Sequence, residues 1–267
     1  LTDADDRGDI LIETRGSLTL AVDGAVDATT GIAGQVNAIS AAGGLSDARL
    51  IADGAVIQDT DGLIVADELG VRLQDITEVV SNENISLGHA NTVNEFAARN
   101  QSIGGEVTFQ SINNLMIGEV TDQAATNANI PFATTTGVFT TSTNTLMDAT
   151  DTSNDVLIQA GGFLSLDEAI DTNNNRANDT DTAGLDADVR LIANGDISQD
   201  AEGIITANEL GVLQSQTSHD NANDIGVDDS QHDVDLGFNN NIDEVAIHNL
   251  EDAAEINFHS TRNLVVG

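Results

Sequence analysis

The chain has 267 residues and a formal net charge of −37 at pH 7, because 45 acidic residues accompany only eight basic ones. A charge of this sign repels nucleic acids and anionic lipid headgroups, which excludes both as partners. Cysteine is absent, which excludes disulfides and thiolate chemistry, and no apolar run approaches the roughly 18 residues that a membrane-spanning helix needs.

The composition is typical of many short strands joined by tight turns. Hydrophobic residues make up 40% of the chain, enough for a core, but aromatic residues make up only 3%, and 24 Gly accompany a single Pro. We therefore predict an all-β protein with negligible helix. The first residue is Leu1 and no signal-peptide pattern follows it, so we interpret the chain as a processed piece of a longer protein.

Taken in chain order, the predicted strands recur after roughly 147 residues. "DILIETRGSLTL" returns as "DVLIQAGGFLSL", "DARLIADG" as "DVRLIANG", and "EVTFQSINNLMIG" as "EINFHSTRNLVVG". The matched stretches start at Asp9 and Asp155, at Asp47 and Asp188, and at Glu106 and Glu255. We predict two repeat units, residues 1–146 and 147–267, that form one continuous solenoid.

A shorter motif lies inside each unit and opens with Asp or Glu. Its second, fourth and tenth positions are apolar, which indicates a strand, a corner and a second strand, each with one buried face. The eighth position is Gly in four copies, and we expect positive φ there, at Gly16, Gly54, Gly162 and Gly195. The six copies are Asp9–Leu20, Asp47–Gln58, Glu106–Ile117, Asp155–Leu166, Asp188–Gln199 and Glu255–Val266.

The repetition favours a parallel β-helix, or β-solenoid, over a series of hairpins. In a solenoid each strand stacks on its equivalent one coil away, so that like side chains form ladders. Coils of about 20–25 residues, spaced by about 4.8 Å, predict a rod on the order of 50 Å long. A β-sandwich array is the alternative, because regularly spaced short strands also suit it.

Three stretches interrupt the pattern. Thr121–Asp155 contains "TTTGVFTTSTNT", whose β-branched content predicts further strands, so we expect the solenoid to run through it. Its "TDQAATNANI" part fits strand or helix equally. Residues 77–91 and 215–235 are degenerate, and they do not define coil boundaries.

The repeated motifs resemble a known class of protein. "DVRLIANGDISQDAEGIITANELGV" and "EVTFQSINNLMIG" are similar to tandem repeats of filamentous-haemagglutinin-like and autotransporter-like adhesins, including those of giant planctomycete-type bacterial surface proteins. The resemblance covers nearly the whole chain. It implies a right-handed parallel β-helix and an extracellular or cell-surface location. It implies no catalytic residues.

The acidic loops are candidates for loose Ca²⁺ binding, since Ca²⁺ prefers several oxygen ligands. In "NDTDTAGLDAD", Asp179, Asp181 and Gly184 fit positions 1, 3 and 6 of an EF-hand-type loop. Position 12 is Arg190, which cannot ligate a cation. Asp179 and Asp181 are therefore weak metal candidates, and the alternative is a solvated acidic loop. No other cofactor is predicted.

Other candidate residues favour structural roles. The five His share no motif that points to zinc or general-base chemistry. "RGD" at residues 7–9 has no counterpart in the second unit, and Asp9 is predicted to start a strand. Gln58 and Gln199 occupy matched positions that are apolar in the other copies, and we expect their amides to stack in a hydrogen-bonded ladder.

These patterns predict a structural or adhesive segment of an extracellular filament, without catalysis. The expected partners are further copies or repeats at its ends, and a host-surface or glycan ligand. One alternative is a carbohydrate-acting β-helix of the polysaccharide lyase or tailspike type, which would use paired carboxylates in a groove. The other is an ice- or mineral-binding module that would use the Thr-rich stretch as an outward array.

Overall fold

A computed structural model describes residues 2–3, 9–21, 39–41, 46–74, 83–122, 132–141, 155–172, 187–215, 232–250 and 254–267. These ranges contain strands and no helix, as the composition predicts. The strands are β1 (Thr2–Asp3), β2 (Ile10–Thr14), β3 (Leu18–Leu20), β4 (Ile39–Ala41), β5 (Ala48–Ala52), β6 (Val56–Gln58), β7 (Ile64–Leu73), β8 (Ile85–Ile103), β9 (Val107–Ser111), β10 (Leu115–Ile117), β11 (Glu119–Val120), β12 (Thr135–Thr136), β13 (Val138–Thr141), β14 (Val156–Ala160), β15 (Leu164–Leu166), β16 (Ile170–Asp171), β17 (Asp188–Ala193), β18 (Ile197–Gln199), β19 (Ile205–Thr206), β20 (Glu209–Gln214), β21 (Val234–Asn240), β22 (Glu244–Asn249), β23 (Ile256–Ser260) and β24 (Val265–Val266).

All but two of these strands join one curled, solenoid-like parallel assembly with two faces. Sheet 2 contains β3, β6, the first part of β8, β9, β14, β17, β20, β22 and β24, in that order along the axis. Sheet 1 contains the other parallel strands, including β2, β5, β7, the last part of β8, β10, β15, β18, β21 and β23. The long strand β8 passes through both sheets. Paired residues of successive coils lie as few as 20 positions apart, as for Asn91 and Ser111, and 21 apart for Val189 and Leu210.

The pairings exclude hairpins within the repeated motif. β14 pairs with β9 and β17, whereas β15 pairs with β10 and β18. The two strands of "DVLIQAGGFLSL" are therefore not partners of each other, and each stacks on strands of the coils before and after it. Among the described strands, only β11 and β12 pair antiparallel.

Equivalent motif positions stack as predicted within two groups of segments. In the first group Ile10 pairs with Ala48, and Leu18 with Val56. In the second group segments 106–117, 155–166 and 188–199 are in register at every paired position.

Between these groups the expectation that each segment stacks on its equivalent is wrong. Three strand passes, through β7 and the two parts of β8, separate segment 47–58 from segment 106–117. Successive passes of the chain alternate between the two sheets. Three intervening passes therefore place the first strand of the motif in sheet 2, whereas in segment 47–58 it lies in sheet 1. The passes through β20, β21 and β22 have the same effect before segment 255–266. The second repeat unit therefore lies half a coil out of phase with the first, and β14 continues sheet 2 where its counterpart β2 lies in sheet 1.

The core lies between the two sheets and contains the predicted apolar positions. Val107, Ile158 and Leu191 are fully buried, as are most equivalents in the other copies. The rings of Phe96 in sheet 1 and Phe109 in sheet 2 stack across the interior, with centroids 4.0 Å apart and planes 6° apart. Burial of aliphatic and aromatic surface in this continuous column supplies most of the stabilisation of such a fold.

None of the corner glycines has positive φ, which corrects the prediction at Gly16, Gly54, Gly162 and Gly195; glycine is needed for space at Gly54, Gly162 and Gly195. Among the described glycines, positive φ occurs at Gly104 and Gly137. A side chain on Gly54 would instead meet Ser17 Oγ at 2.7 Å, and one on Gly195 would meet the backbone of Phe163 at 3.0 Å. Each of these three corners approaches the corner of the preceding coil too closely for a Cβ atom, whereas a Cβ atom on Gly16 would meet nothing within 4 Å.

The parallel strand pairing continues in the described part of the stretch between the two sequence repeats. β13 pairs with β8 on one side and β16 on the other, as expected for further strands in "TTTGVFTTSTNT". β11, β12 and Phe132 fold out over the outer surface of sheet 1, where Phe132 packs on Ile51 and Ala97. Thr135 and Thr140 are buried, whereas Thr134 is exposed and Thr136 is half-buried. The "TDQAATNANI" part lies almost entirely outside the described residues.

Candidate functional site

Four carboxylates stack at the start of sheet 1 on successive coils. Asp9 and Asp47 precede the paired strands β2 and β5, and Glu68 precedes the next rung and pairs in register with Glu95. We call this set the acidic ladder. It arises because every coil places its acidic first motif position, or an equivalent, at the same point of the sheet. Parallel rungs about 4.8 Å apart hold these side chains close to one another.

Arg49 crosses the acidic ladder and is its main counter-ion. Its guanidinium lies 3.2 Å from Asp9 Oδ2 and 3.0 Å from Asp47 Oδ2, and its Nε donates to the carbonyl oxygen of Thr121 at 3.0 Å. Phe132 covers it, with the ring centroid 6.0 Å from Cζ. The folded-out segment thus buries Arg49, which is only 2% exposed.

Arg49 contacts only two of the four carboxylates in the acidic ladder, and burial disfavours the charged form of the ladder carboxyl groups, so their pKa values change. Burial, followed by repulsion from Asp47 and Glu95, raises the pKa of Glu68 to about 7. Burial also raises the pKa of Asp47, despite the attraction of Arg49, and the pKa of Glu95. Glu68 Oε2 is enclosed without a hydrogen-bond donor among the described residues. The arrangement can therefore store a proton near neutral pH.

Stability should fall as pH rises through the range in which Glu68 ionises. The folded protein holds a proton on Glu68 up to a pKa of about 7, whereas the unfolded chain loses it near the ordinary glutamate pKa of 4.5. The folded state binds more protons between these values, so the free energy of unfolding decreases from pH 4.5 to pH 7. We expect Glu68→Gln to remove about 1–2 kcal/mol of this decrease, since solvent screens part of the repulsion. Urea melts at pH 5 and pH 8 would measure it.

The second unit provides the matched control for this prediction. Glu209 occupies the position of Glu68 in "ANELGV", but its side chain is exposed. Glu209→Gln should leave the difference in unfolding free energy between pH 5 and pH 8 nearly unchanged. If the unfolding free energy of Glu68→Gln fell between pH 5 and pH 8 by as much as that of the wild type, the assignment of the proton to Glu68 would be contradicted.

A second acidic ladder lies in sheet 2, on the opposite face from the first. Asp155, Asp188, Glu209 and Glu244 open successive paired strands there. Arg190 corresponds to Arg49 and lies 2.8 Å from Asp188 Oδ2 and 3.7 Å from Asp155 Oδ2. No described segment covers it, and its side chain is 55% exposed. The same motif thus forms a buried ion-pair column in one unit and a solvated one in the other.

The two predicted glutamines are buried but do not stack on each other. Gln58 pairs with Asn91 of the next coil: its Nε2 donates to Asn91 Oδ1 at 2.6 Å, and Asn91 Nδ2 donates to Gln58 Oε1 at 3.2 Å. Gln199 forms the same pair with Asn240, at 2.7 and 3.2 Å. We call each pair an amide clamp. Each glutamine lies 141 residues from its equivalent, too far along the axis to share a ladder with it.

Each asparagine also ties three coils together through the backbone. Asn91 Oδ1 accepts from Ile64 N at 2.9 Å, while its Nδ2 donates to the carbonyl oxygens of Leu87 and Gln110, each at 3.1 Å. Asn240 makes the equivalent bonds to Ile205, Leu236 and His259. Sequence reasoning missed Asn91 and Asn240. Their recurrence 149 residues apart, in "LGHAN" and "LGFNN", was the available signal.

The last coil exposes the apolar surface that its counterpart buries. Segment 255–266 corresponds to 106–117, in which Val107 and Ile117 are fully buried. The equivalent Ile256 and Val266 are 50% and 77% exposed. Within the described residues β23 pairs only with β21 and β24 only with β22, so both strands present a free edge.

The other candidate residues form no site in the part of the chain that the structure describes. Asp179 and Asp181 lie outside it, as do Arg7 and Gly8 of "RGD"; Asp9 directly precedes β2, as predicted. The described His, Asp and Glu side chains form no group of three that could hold a metal ion. No helix in the described part of the chain is able to cross a membrane.

Comparison with known proteins gives no relative: no family model matches the chain, and no curated protein and no solved structure is significantly similar to it.

Proposed function

We propose that the chain is a structural or adhesive segment of an extracellular bacterial filament or matrix, and that it carries out no catalysis. The observation that supports this most is the unbroken parallel ladder along both sheets, with a free apolar edge at the last coil. In such a segment the backbone ladders carry load along the axis, and the core column makes each coil depend only on its neighbours.

The finer architecture that fits this function is a right-handed parallel β-helix. Residues 1–146 and 147–267 would be two units of one continuous rod, joined at the β9–β14 and β10–β15 pairings. A long rod needs a surface that prevents lateral aggregation, and a net charge of −37 supplies it by mutual repulsion. Loose cation binding to the acidic loops would then screen this charge at the cell surface.

The partners that suit this function are further copies or repeats at the ends, and a glycan or protein of a host surface. The paired-carboxylate chemistry of a carbohydrate-acting β-helix finds less support. Arg49, the counter-ion of the acidic ladder in sheet 1, lies beneath Phe132 and the backbone of Thr121, where no sugar ring could reach it.

Immunogold electron microscopy of cells that carry the protein would test the function. With antibody raised against the purified chain, we expect gold along extended surface fibres at regular axial intervals. The same antibody, adsorbed beforehand with purified chain, is the control and should give no label. Gold confined to discrete globular particles, or to the cell interior, would contradict the proposal.

A further inference from the structure

The repeat supplies an internal example of what would cover the free edge of the last coil. Segment 106–117 is the counterpart of 255–266, and segment 155–166 is the counterpart of 9–20. Within the chain, 155–166 stacks directly on 106–117: β14 pairs with β9 from Val156↔Val107 onwards, and β15 pairs with β10. A segment of the 9–20 type is thus known to fit an edge of the 106–117 type.

The first coil and the last coil each have an outer edge without a strand partner among the described residues. β2 pairs only with β5, and β3 only with β6, so their outer edges have no described partner. β23 and β24 are equally one-sided. We propose that segment 255–266 of one molecule binds segment 9–20 of a second copy of this chain, in parallel and in the register of the internal junction. The pairs are then Ile256 with Ile10, Leu264 with Leu18, and Val265 with Thr19.

The tail corner already has the geometry of the internal junction. Ser111 Oγ accepts from Asn113 N at 3.3 Å, and at the tail Ser260 Oγ accepts from Arg262 N at 3.2 Å. At the internal junction Asn114 Oδ1 then accepts from Phe163 N on the next coil at 3.2 Å. Asn263 is the counterpart of Asn114, and Ser17 of the second copy is the counterpart of Phe163, so the same bond can form.

Gly16 is a second and independent indication of a partner on the head edge. Cβ atoms built on Gly54, Gly162 and Gly195 all meet the corner of the preceding coil, which explains glycine at those positions. A Cβ on Gly16 meets nothing within 4 Å, and its φ is not positive. No contact within the described structure requires glycine there. In the proposed contact Asn263 of the preceding molecule lies over Gly16, as Asn114 lies over Gly162.

The contact is head to tail, so it does not close and each added molecule leaves a free edge for the next. This inference rests on the filament function in that it names the partner of the free edge, but its test uses only the purified chain. Repulsion between two chains of charge −37 opposes the contact, and salt screens that repulsion over about 10 Å at 0.1 M.

Disulfide crosslinking tests the register directly, because the chain contains no cysteine. Thr19→Cys with Val265→Cys places thiols on outward positions of adjacent rungs, about 4.8 Å apart, within the Cα range of about 4.4–6.8 Å for disulfides. The two sites lie at opposite ends of nine sheet-2 rungs, about 40 Å apart, so they can bond only between molecules. We expect an open ladder of oligomers on non-reducing gels, stronger at 0.5 M than at 0.05 M salt.

The pair Thr19→Cys with Val266→Cys is the register control, because Val266 points to the opposite face and should crosslink at least about fivefold less. Equal ladders from both pairs, dimers without longer oligomers, or monomers alone would each overturn the proposal.

Gly16→Val gives an assembly test without cysteine. We expect it to raise the concentration for half-assembly about tenfold or more, measured by sedimentation velocity, while the melting temperature of the dilute monomer is unchanged. Gly211→Val, where the nearest side-chain atom is Arg190 Cγ at 3.7 Å, should assemble as the wild type does. Undiminished assembly of Gly16→Val would overturn the contact at this corner.

The contact and the filament function can fail separately. Crosslinked oligomers of the purified chain, without labelled fibres on cells, would support the contact and contradict the filament function. Labelled fibres on cells, without crosslinked oligomers of the purified chain, would support the filament function and contradict the contact.

Discussion

Replacing Asn91 by leucine is expected to lower the free energy of unfolding by about 3–5 kcal/mol. Asn91 is fully buried, and its amide serves the backbone of three coils as well as Gln58. Leucine would leave the buried Ile64 N–H without its acceptor, would remove the bonds to the carbonyl oxygens of Leu87 and Gln110, and would orphan the buried amide of Gln58. Each orphaned buried group costs about 1–3 kcal/mol. Equilibrium urea unfolding, followed by far-ultraviolet circular dichroism, would measure the loss.

Asn94→Leu is the matched control, since Asn94 is an exposed residue of the same strand and its Nδ2 donates only to Asp67 among the bonds seen here. We expect its unfolding free energy to change by no more than about 0.5 kcal/mol.

The double variant Gln58→Leu with Asn91→Leu should cost less than the two single changes added together, by about 1–3 kcal/mol, because neither amide is then orphaned by the other. Strict additivity would mean that the two amides are not coupled.

Gly161→Ala should destabilise the protein by about 3 kcal/mol or more. A Cβ on Gly161 would overlap the carbonyl carbon and oxygen of Ile112 on the preceding coil. These atoms belong to the backbone, so two stacked coils would have to separate, and the bond from Gly161 N to Ser111 O, 2.8 Å long, would weaken. Thermal unfolding of both proteins at the same pH would show the effect as a lower melting temperature.

Gly211→Ala provides the comparison, because its Cβ would make only an ordinary contact with Arg190 Cγ at 3.7 Å. It should leave stability unchanged or raise it by up to about 1 kcal/mol through the less flexible unfolded chain. If Gly161→Ala and Gly211→Ala unfolded at the same temperature, close stacking of the corners would not be the reason for glycine.

The sequence was sufficient for the β class, the parallel stacking and the inward positions of the motif. These follow from local regularities: alternation along each strand, and identical spacing in six segments. Val156 and Leu164 could be assigned to the interior in this way because their neighbours along the axis are copies of the same pattern. The burial of Arg49 could not be assigned, since it depends on Phe132, a residue 83 positions later that folds back over sheet 1.

The half-coil phase change and the amide clamps could not be predicted from the repeated motif. The first phase change depends on the number of strand passes between residues 58 and 106, a range that includes the degenerate stretch 77–91, and β8 contains two of these passes in one uninterrupted strand. Asn91 lies in that stretch, where no motif directed attention to it. The corner glycines were correctly located, but positive φ was the wrong explanation for them. The pattern in one sequence shows where glycine recurs, and it does not show which atoms of the neighbouring coil lie close to it.

The half-coil phase change has a consequence for how such a rod would display whatever it carries. A loop at a fixed position of the unit emerges from one side in the first unit and from the other side in the second. A rod of many units would therefore present each loop in two opposite rows, with half the density per side and twice the spacing. A flat receptor layer could engage only one row at a time, which limits avidity on a single surface and favours bridging between two surfaces.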